Sequence, residues 1–154
     1  MIEINNTTKQ KIPAAKIRLI GEAFLRHYRR PQASVSLAIV GPGRMRRLNR
    51  DYRGIDKTTD VLSFPASFSD REPERSFLGE VIINLSAVSQ LGKYREVFSE
   101  LALAPFSSAG AARKYIFDFL FVHGLLHLLG YEDDSPAGRR KMLQEGRDFL
   151  RKVL

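Results

Sequence analysis

The chain has 154 residues, 44% hydrophobic and 27% charged, which is the composition of a globular protein long enough to bury a core. It contains no cysteine, which excludes disulfides, thiolate metal ligands and a cysteine nucleophile and fits a reducing, cytoplasmic compartment. Its 25 Lys and Arg residues outnumber 17 Asp and Glu, giving a net charge of +8. That surplus favours an anionic partner such as nucleic acid, an acidic membrane or an acidic protein, although a basic protein without a special partner would look the same.

The sequence predicts no secretory or membrane-spanning segment. The first 13 residues lack the apolar run of a signal peptide. The most apolar stretch, residues 115–129, is too short to cross a bilayer and contains Asp118, His123 and His127. We therefore expect one domain over residues 1–154, with this stretch as a buried helix.

The first third of the chain predicts two strands and two helices. Residues 2–5 alternate weakly and could form an edge strand, and residues 14–30 follow Pro13 as an amphipathic helix. The apolar residues of that helix are Ile17, Leu19, Ile20, Phe24 and Leu25. Residues 34–40 alternate and are rich in branched side chains, which predicts a strand that Gly41, Pro42 and Gly43 break. Residues 44–52 predict a short, very basic helix.

The middle of the chain predicts two further strands. Residues 59–64 form the first and are stopped by Pro65. A polar loop over residues 67–75 leads to a strand over residues 78–85. Residues 86–94 then have the pattern of a helix.

The last third predicts mainly helix. Small polar residues and Pro105 indicate a loop or broken helix over residues 101–110. Residues 111–129 form a long apolar helix that Gly130 ends as a C-terminal cap, and residues 136–154 form a last amphipathic helix. Strands and helices mix without strict alternation, so we expect an α+β fold with a small mixed sheet.

Two histidines on the long helix form the main candidate site. His123 and His127 are four residues apart, which is about 400° of helical rotation, so both imidazoles lie on one face and can bind one metal ion. After Gly130 the chain turns into Glu132, Asp133 and Asp134, any of which could return a carboxylate to the ion. Two histidines and one carboxylate leave a coordination position open for water. The alternative is a pair of histidines satisfied by backbone or solvent.

The spacing differs from that of the zinc proteases at one informative position. Their His-Glu-x-x-His motif places a general-base glutamate directly after the first histidine. This chain has Gly124 there, and glycine cannot activate water. A standard zinc protease is therefore excluded, and either the base comes from elsewhere or the reaction needs less of one.

A basic segment over residues 44–57 is the second candidate site. Only Asp51 and Asp56 oppose its six cations, and the planar guanidinium of arginine suits phosphate oxygens. Its basic residues are Arg44, Arg46, Arg47, Arg50, Arg53 and Lys57. Tyr52 and Phe64 could stack on unpaired bases, although aromatic residues beside strands are more often core. A solvated helix face is the alternative for the segment.

Three segments of the chain form a recognisable set: LNRDYRGIDKTTDVLSFP at 48–65, LGEVIINL at 78–85 and HGLLHLLGYEDD at 123–134. They resemble the YbeY family of endoribonucleases, also called rRNA maturation factors. The first resembles the family segment LNxxYRxxDxxTDVLSFP, the last resembles HGxLHLxGYDH, and the second resembles the strand between these motifs. The resemblance covers residues 48–142.

The resemblance implies a zincin-like α+β fold and an enzyme that cuts single-stranded RNA. The implied role is small-subunit rRNA maturation and ribosome quality control, with ribosome-assembly proteins as partners and with no membrane or small-molecule cofactor. Family members bind zinc or a similar divalent ion through three histidines. His123 and His127 match the first two ligands, Asp133 stands in place of the third, and Arg53 matches the functionally important arginine at the metal cleft.

Two departures from the family carry predictions. The negative charge of Asp133 predicts weaker activation of a metal-bound water, or a preference for another ion. Residues 96–109 are longer than usual, either as a loop beside the cleft or as a tolerated insertion. We expect metal-assisted phosphodiester cleavage, with Arg53 stabilising charge on the phosphate. Glu80 is a candidate base, although its position on a strand could equally be structural. The rivals are a metal-dependent amide hydrolase, a non-catalytic ribosome-assembly factor with a structural metal, and a generic RNA-binding module.

Overall fold

A computed structural model describes residues 1–67 and 76–154, and the α+β prediction is confirmed. The strands and helices, in chain order, are β1 (Ile2–Asn6), α1 (Ala14–His27), β2 (Ser34–Val40), α2 (Pro42–Arg53), β3 (Val61–Pro65), β4 (Phe77–Asn84), a 3₁₀ helix (Leu85–Ser89), α3 (Leu91–Glu100), α4 (Ala109–Leu128) and α5 (Pro136–Val153). Nearly all of the predicted loop at 67–75 lies outside the described residues. The prediction of one domain stays a prediction.

The four strands form one mixed sheet in the order β1-β2-β4-β3. β2 pairs in parallel with β1 and β4, whereas β3 pairs antiparallel with β4. β1 is an edge strand, as predicted. β3 lies at the opposite edge, and within the described ranges no strand pairs with its outer side.

The two faces of the sheet are covered by different helices. Along β2, Val35, Leu37 and Ile39 enter the larger core, which they share with residues of α1, α4 and α5. Ala38 and Val40 point the other way, into a smaller core built with α2. Because successive strand residues alternate between faces, α4 and α2 lie on opposite sides of the sheet.

The ends of the first two helices differ from the prediction. α1 stops at His27 instead of residue 30, because Arg29 has a left-handed φ of 58° and Pro31 disfavours helical backbone before it. Leu19 is 54% exposed and does not belong to the buried face. α2 starts at Pro42, where a break was predicted, since proline is well suited to the first turn of a helix.

The segment before α4 also differs. The helix predicted at 86–94 is two elements, because the 3₁₀ helix Leu85–Ser89 ends before α3 begins at Leu91. α3 continues to Glu100, so the first residues of the 96–109 stretch are helical and the connecting loop is shorter than predicted. α4 begins at Ala109, where the Ser108 hydroxyl caps it by accepting from the Ala111 amide at 3.1 Å.

Helix α4 is buried on nearly every side, as its apolar sequence predicts. It ends in a Schellman turn, in which the amide of Gly130 donates to His127 and the amide of Tyr131 donates to Leu126. Gly130 adopts a φ of 93°, which glycine accepts without strain. Its predicted role as the C-terminal cap is confirmed. In the part of the chain that is described, no helix has the length and apolar character that a membrane span needs.

Candidate metal centre

The last two turns of α4 bring the two histidine rings together. The ring centroids of His123 and His127 are 4.8 Å apart and the rings are nearly perpendicular, at 86°. Both side chains are partly buried. The four-residue spacing therefore places two imidazoles at one point on the helix surface, as predicted.

The turn after α4 returns a carboxylate to these rings. Oδ2 of Asp133 lies 3.1 Å from Nε2 of His123 and 3.5 Å from Nε2 of His127. One ligand atom from each of the three residues lies within 4.8 Å of the others. Of the three acids that follow Gly130, Asp133 is the one that joins the histidines.

A backbone carbonyl fixes the orientation of His127. Nδ1 of His127 lies 2.9 Å from the carbonyl oxygen of Tyr131. A carbonyl can only accept, so Nδ1 carries the proton and Nε2 presents its lone pair towards Asp133. Such a partner on the far ring nitrogen is the usual arrangement behind a metal-binding histidine. Nδ1 of His123 is buried without a hydrogen-bond partner among the described residues.

The protonation states of His127 and Asp133 match those of metal ligands. Burial, followed by the neighbouring charge of His123, lowers the pKa of His127, so this ring is neutral at neutral pH. The hydrogen bond with His123 is the main reason that the pKa of Asp133 falls to about 2, so this carboxylate is ionised. A neutral imidazole and an ionised carboxylate are the forms that bind metal.

The distances from the Asp133 oxygen to the two imidazole nitrogens fit one small divalent ion. Zinc bonds to nitrogen and oxygen of about 2.0–2.1 Å place tetrahedral ligand atoms about 3.4 Å apart. The 3.1 and 3.5 Å separations between Asp133 and the two histidines bracket that value. The donor set contains no sulfur, which suits zinc and other borderline or hard divalent ions.

The residue after the first histidine has no room for a side chain. A Cβ at Gly124 would lie 2.5 Å from Cγ1 of Val81 and 3.2 Å from the Ser63 hydroxyl. Position 124 therefore faces the sheet where α4 packs against β3 and β4. A glutamate at this position, like that of the zinc proteases, would therefore clash with the sheet as it is packed here.

Glu80 was wrong as a candidate base. It precedes Val81, which packs against α4, so strand alternation directs Glu80 to the other face. It pairs across strands with Phe64, which belongs to the α2-side core. The sheet thus separates Glu80 from the histidines, and the sequence could not show this because alternation does not reveal which helix covers which face.

Arg53 is the last residue of α2, on the side of the sheet opposite α4. Its side chain is exposed, and among the described residues it forms no hydrogen bond or ion pair. Two other cations of the segment are engaged: Arg46 binds both oxygens of Asp56 at 2.9 and 3.2 Å, and Arg50 contacts Asp51 at 3.1 Å. The structure shows no direct contact between Arg53 and the three-residue group.

Polar residues of the 48–65 segment fix the loop before β3 through contacts with β4 and α3. Asp60 pairs with Lys93 of α3 at 2.5 Å and accepts from the Tyr94 hydroxyl. The fully buried Asn84 donates to the Thr58 hydroxyl and to the Thr59 carbonyl, both at 3.2 Å. These contacts fix the course of the basic segment into β3, a role that spacing in the sequence did not reveal.

Fold and site together define a zincin-like α+β protein whose His-x-x-x-His helix and following turn gather three potential metal ligands. The sequence profile of the family described as Endoribonuclease YbeY matches residues 3–154. The chain belongs to that family.

Several curated relatives carry the same description. The protein from Anaeromyxobacter sp. (strain Fw109-5) is 37% identical over 142 residues, which are 90% of this chain and 64% of the relative. A protein from a Nitratiruptor species is 40% identical over 111 residues, covering 72% of this chain and 65% of the relative. The chain thus spans less than two thirds of the length of these two relatives. The relative from Aliarcobacter butzleri (strain RM4018) is 30% identical, with 94% and 88% covered.

A solved structure supports the fold. The solution structure of TM1509 from Thermotoga maritima is similar with a TM-score of 0.58 and 22% identity. The similarity covers 99% of this chain and 89% of that protein. At this level of identity the likeness concerns the fold alone.

Proposed function

We propose that this protein is a metal-dependent endoribonuclease that cleaves single-stranded RNA. The observation that carries the proposal is the convergence of His123, His127 and Asp133, each of which offers one ligand atom within 4.8 Å of the others. Membership of a family described as endoribonucleases supplies the reaction class. The net charge of +8 favours the same polyanionic substrate.

The three residues would hold the ion, with zinc as the first candidate. When bound, a divalent ion at this position polarises a phosphate oxygen or acidifies a water molecule. His127 is held for this task by the Tyr131 carbonyl, and Asp133 brings a negative charge that moderates the acidity. Position 124 offers no base because its space is filled by Val81. Attack by water and attack by the ribose 2′-hydroxyl both remain open, and the products distinguish them.

Arg53 would bind phosphate. Its exposed guanidinium has no ion-pair partner among the described residues, so binding phosphate breaks no existing pair. Tyr52, which precedes Arg53, contacts Phe64 of the edge strand β3, so Arg53 would contact the RNA strand where that strand passes this edge of the sheet. There it would stabilise charge on the phosphate.

The family resemblance extends the proposal to a biological substrate. We infer that the RNA is small-subunit rRNA, that cleavage serves rRNA maturation and ribosome quality control, and that ribosome-assembly proteins are partners. This substrate implies a cytoplasmic protein.

The proposal is tested by incubating end-labelled single-stranded RNA with metal-loaded protein, with chelated protein and with His127→Ala. His27→Ala is the matched control, because His27 is the third histidine of the chain and lies exposed on α1. Cleavage by the wild type and by His27→Ala, and its loss on chelation and in folded His127→Ala, is expected. A cyclic phosphate end would identify attack by the 2′-hydroxyl.

Other outcomes identify the rivals. No cleavage with any divalent ion, together with a loss of stability in His127→Ala, would favour a non-catalytic assembly factor with a structural metal. Chelator-sensitive peptide cleavage without RNA cleavage would favour an amide hydrolase. Binding that depends on salt but not on metal would favour a generic RNA-binding module.

A further inference from the structure

Tyr52 is an exposed aromatic residue at the end of the basic helix. Its accessibility is 69%, one of the highest among the large hydrophobic side chains of the described residues. A role in the hydrophobic core does not explain why an aromatic residue stands at this position, because most of its surface faces solvent. The ring nevertheless has a defined setting, since it meets the half-buried Phe64 edge-on, with centroids 5.3 Å apart and planes at 65°.

Tyr52 belongs to the basic segment, which contains cations without ion-pair partners among the described residues. Arg53 follows Tyr52 directly, and Arg44, Arg47 and Lys57 belong to the same segment. Among the described residues none of these four forms an ion pair, in contrast to Arg46 and Arg50. An exposed aromatic face beside unpaired cations is the combination that binds unpaired bases and their phosphates.

A short chain of contacts links this surface to the candidate metal centre. Phe64 faces α2, whereas its neighbour Ser63 faces α4 and donates from its hydroxyl to the carbonyl of Gly124 at 3.0 Å. Gly124 follows His123 in the sequence. Two neighbouring residues of the edge strand β3 therefore contact Tyr52 on one face of the sheet and the histidine helix on the other.

We propose that Tyr52, braced by Phe64, is a stacking platform for an unpaired base of single-stranded RNA, whose backbone crosses the edge of β3 towards the metal centre. This inference rests on the proposed function and deepens it, because it assigns a residue that selects single strands. In a duplex, the base faces are covered by their neighbours, and a stacking platform cannot engage them.

Fluorescence tests the contact directly, because the chain has no tryptophan. Tyr52→Trp introduces a single reporter on the platform, and Leu19→Trp introduces one at a comparably exposed position on α1 as the matched control. The probe is a single-stranded 2′-O-methyl oligonucleotide, with chelator present so that binding is separated from cleavage. Saturable quenching in Tyr52→Trp and none in Leu19→Trp is the expected result. An abasic oligonucleotide of equal length should give no quenching, because it has the phosphates without the bases.

Affinities give the second measurement. Stacking of one base predicts that Tyr52→Ala binds the oligonucleotide roughly 5- to 150-fold more weakly, whereas Tyr52→Phe stays close to the wild type. Both variants should bind the abasic strand as the wild type does. Unchanged affinity in Tyr52→Ala, or equal quenching by the abasic strand, would overturn the platform and leave only an electrostatic surface.

The experiments distinguish a failure of the stacking platform from a failure of the proposed nuclease activity. If Tyr52→Ala loses affinity but the metal-loaded wild type never cleaves RNA, the platform stands and the proposed nuclease activity is wrong. If the wild type cleaves and Tyr52→Ala binds and cleaves single strands equally well, the platform alone is wrong.

Discussion

Replacing Gly124 with alanine tests how closely the histidine helix packs on the sheet. The added Cβ would lie 2.5 Å from one methyl of Val81 and 3.1 Å from the other. Ordinary carbon contacts are about 3.5–4.0 Å, so the nearest overlap is about 1 Å. Rotating Val81 exchanges one methyl for the other, and this side chain is fully buried. The helix or the strand must therefore shift.

The same substitution at a second glycine of α4 serves as the control for this steric cost. Gly110 is also helical, but a Cβ there has its nearest contact at 3.8 Å, with the Ser108 hydroxyl. Alanine gains up to about 1 kcal/mol of helix propensity at Gly124, in the interior of α4, and less at Gly110, in its first turn. Overpacking at Gly124 costs about 1–3 kcal/mol. Because the steric cost exceeds the difference in propensity, Gly124→Ala should be less stable than Gly110→Ala by roughly 0.5–2.5 kcal/mol.

The assay is urea unfolding of both variants and of the double variant Gly124→Ala/Val81→Ala. Removing the methyls of Val81 should recover part of the loss, with a coupling energy of about 0.5–3 kcal/mol. Equal stability of the two glycine variants, with no coupling to Val81, would refute the described packing of α4 against β4.

Two further predictions concern neighbouring parts of the core and site. Lys16 pairs at 2.6 Å with the buried Asp118. Lys16→Met should therefore lower the free energy of unfolding by about 1–3 kcal/mol at neutral pH, measured by urea unfolding. Lys114→Met, at an exposed position, is the control. Burial raises the pKa of Asp118, so this carboxyl is protonated in the folded state before it is protonated in the unfolded state as the pH falls. The loss of unfolding free energy in Lys16→Met should therefore become smaller at acidic pH. A loss that stays constant with pH would contradict this. Gly130→Ala should cost about 1–3 kcal/mol and weaken zinc binding in calorimetry, because the left-handed backbone that places the Tyr131 carbonyl becomes strained without any side-chain clash. Wild-type zinc affinity in Gly130→Ala would show that this turn does not position His127.

The sequence predicted the features that depend on local pattern. The position of α4, its end at Gly130 and the shared face of His123 and His127 all follow from helical periodicity and capping. Asp133 was matched to the third ligand position through the family resemblance, and the structure brings it to the histidines. These interactions span at most ten residues, which is why sequence reasoning reached them.

Features that depend on distant packing were not predicted. Glu80 lies on the wrong face for a base because α2 and α4 cover opposite sides of the sheet, and nothing local to the strand shows this. The sheet order that places β3 at the edge is likewise a tertiary property. Leu19 has helical spacing, yet it is exposed because no element packs over that side of α1 in the described chain. The role of the Tyr131 carbonyl could not be predicted, because every residue has a backbone carbonyl and the sequence does not show which one faces His127.

The central claim is most directly tested by the metal content of purified protein, measured by elemental analysis without added metal. Asp133→Ala is compared with the wild type and with Asp134→Ala, since Asp134 is the adjacent acid outside the three-residue group. Near-stoichiometric metal in the wild type and in Asp134→Ala, with a clear loss in Asp133→Ala, is the predicted result. A metal-free wild type that also fails to take up zinc, nickel or manganese would contradict the proposed metal centre.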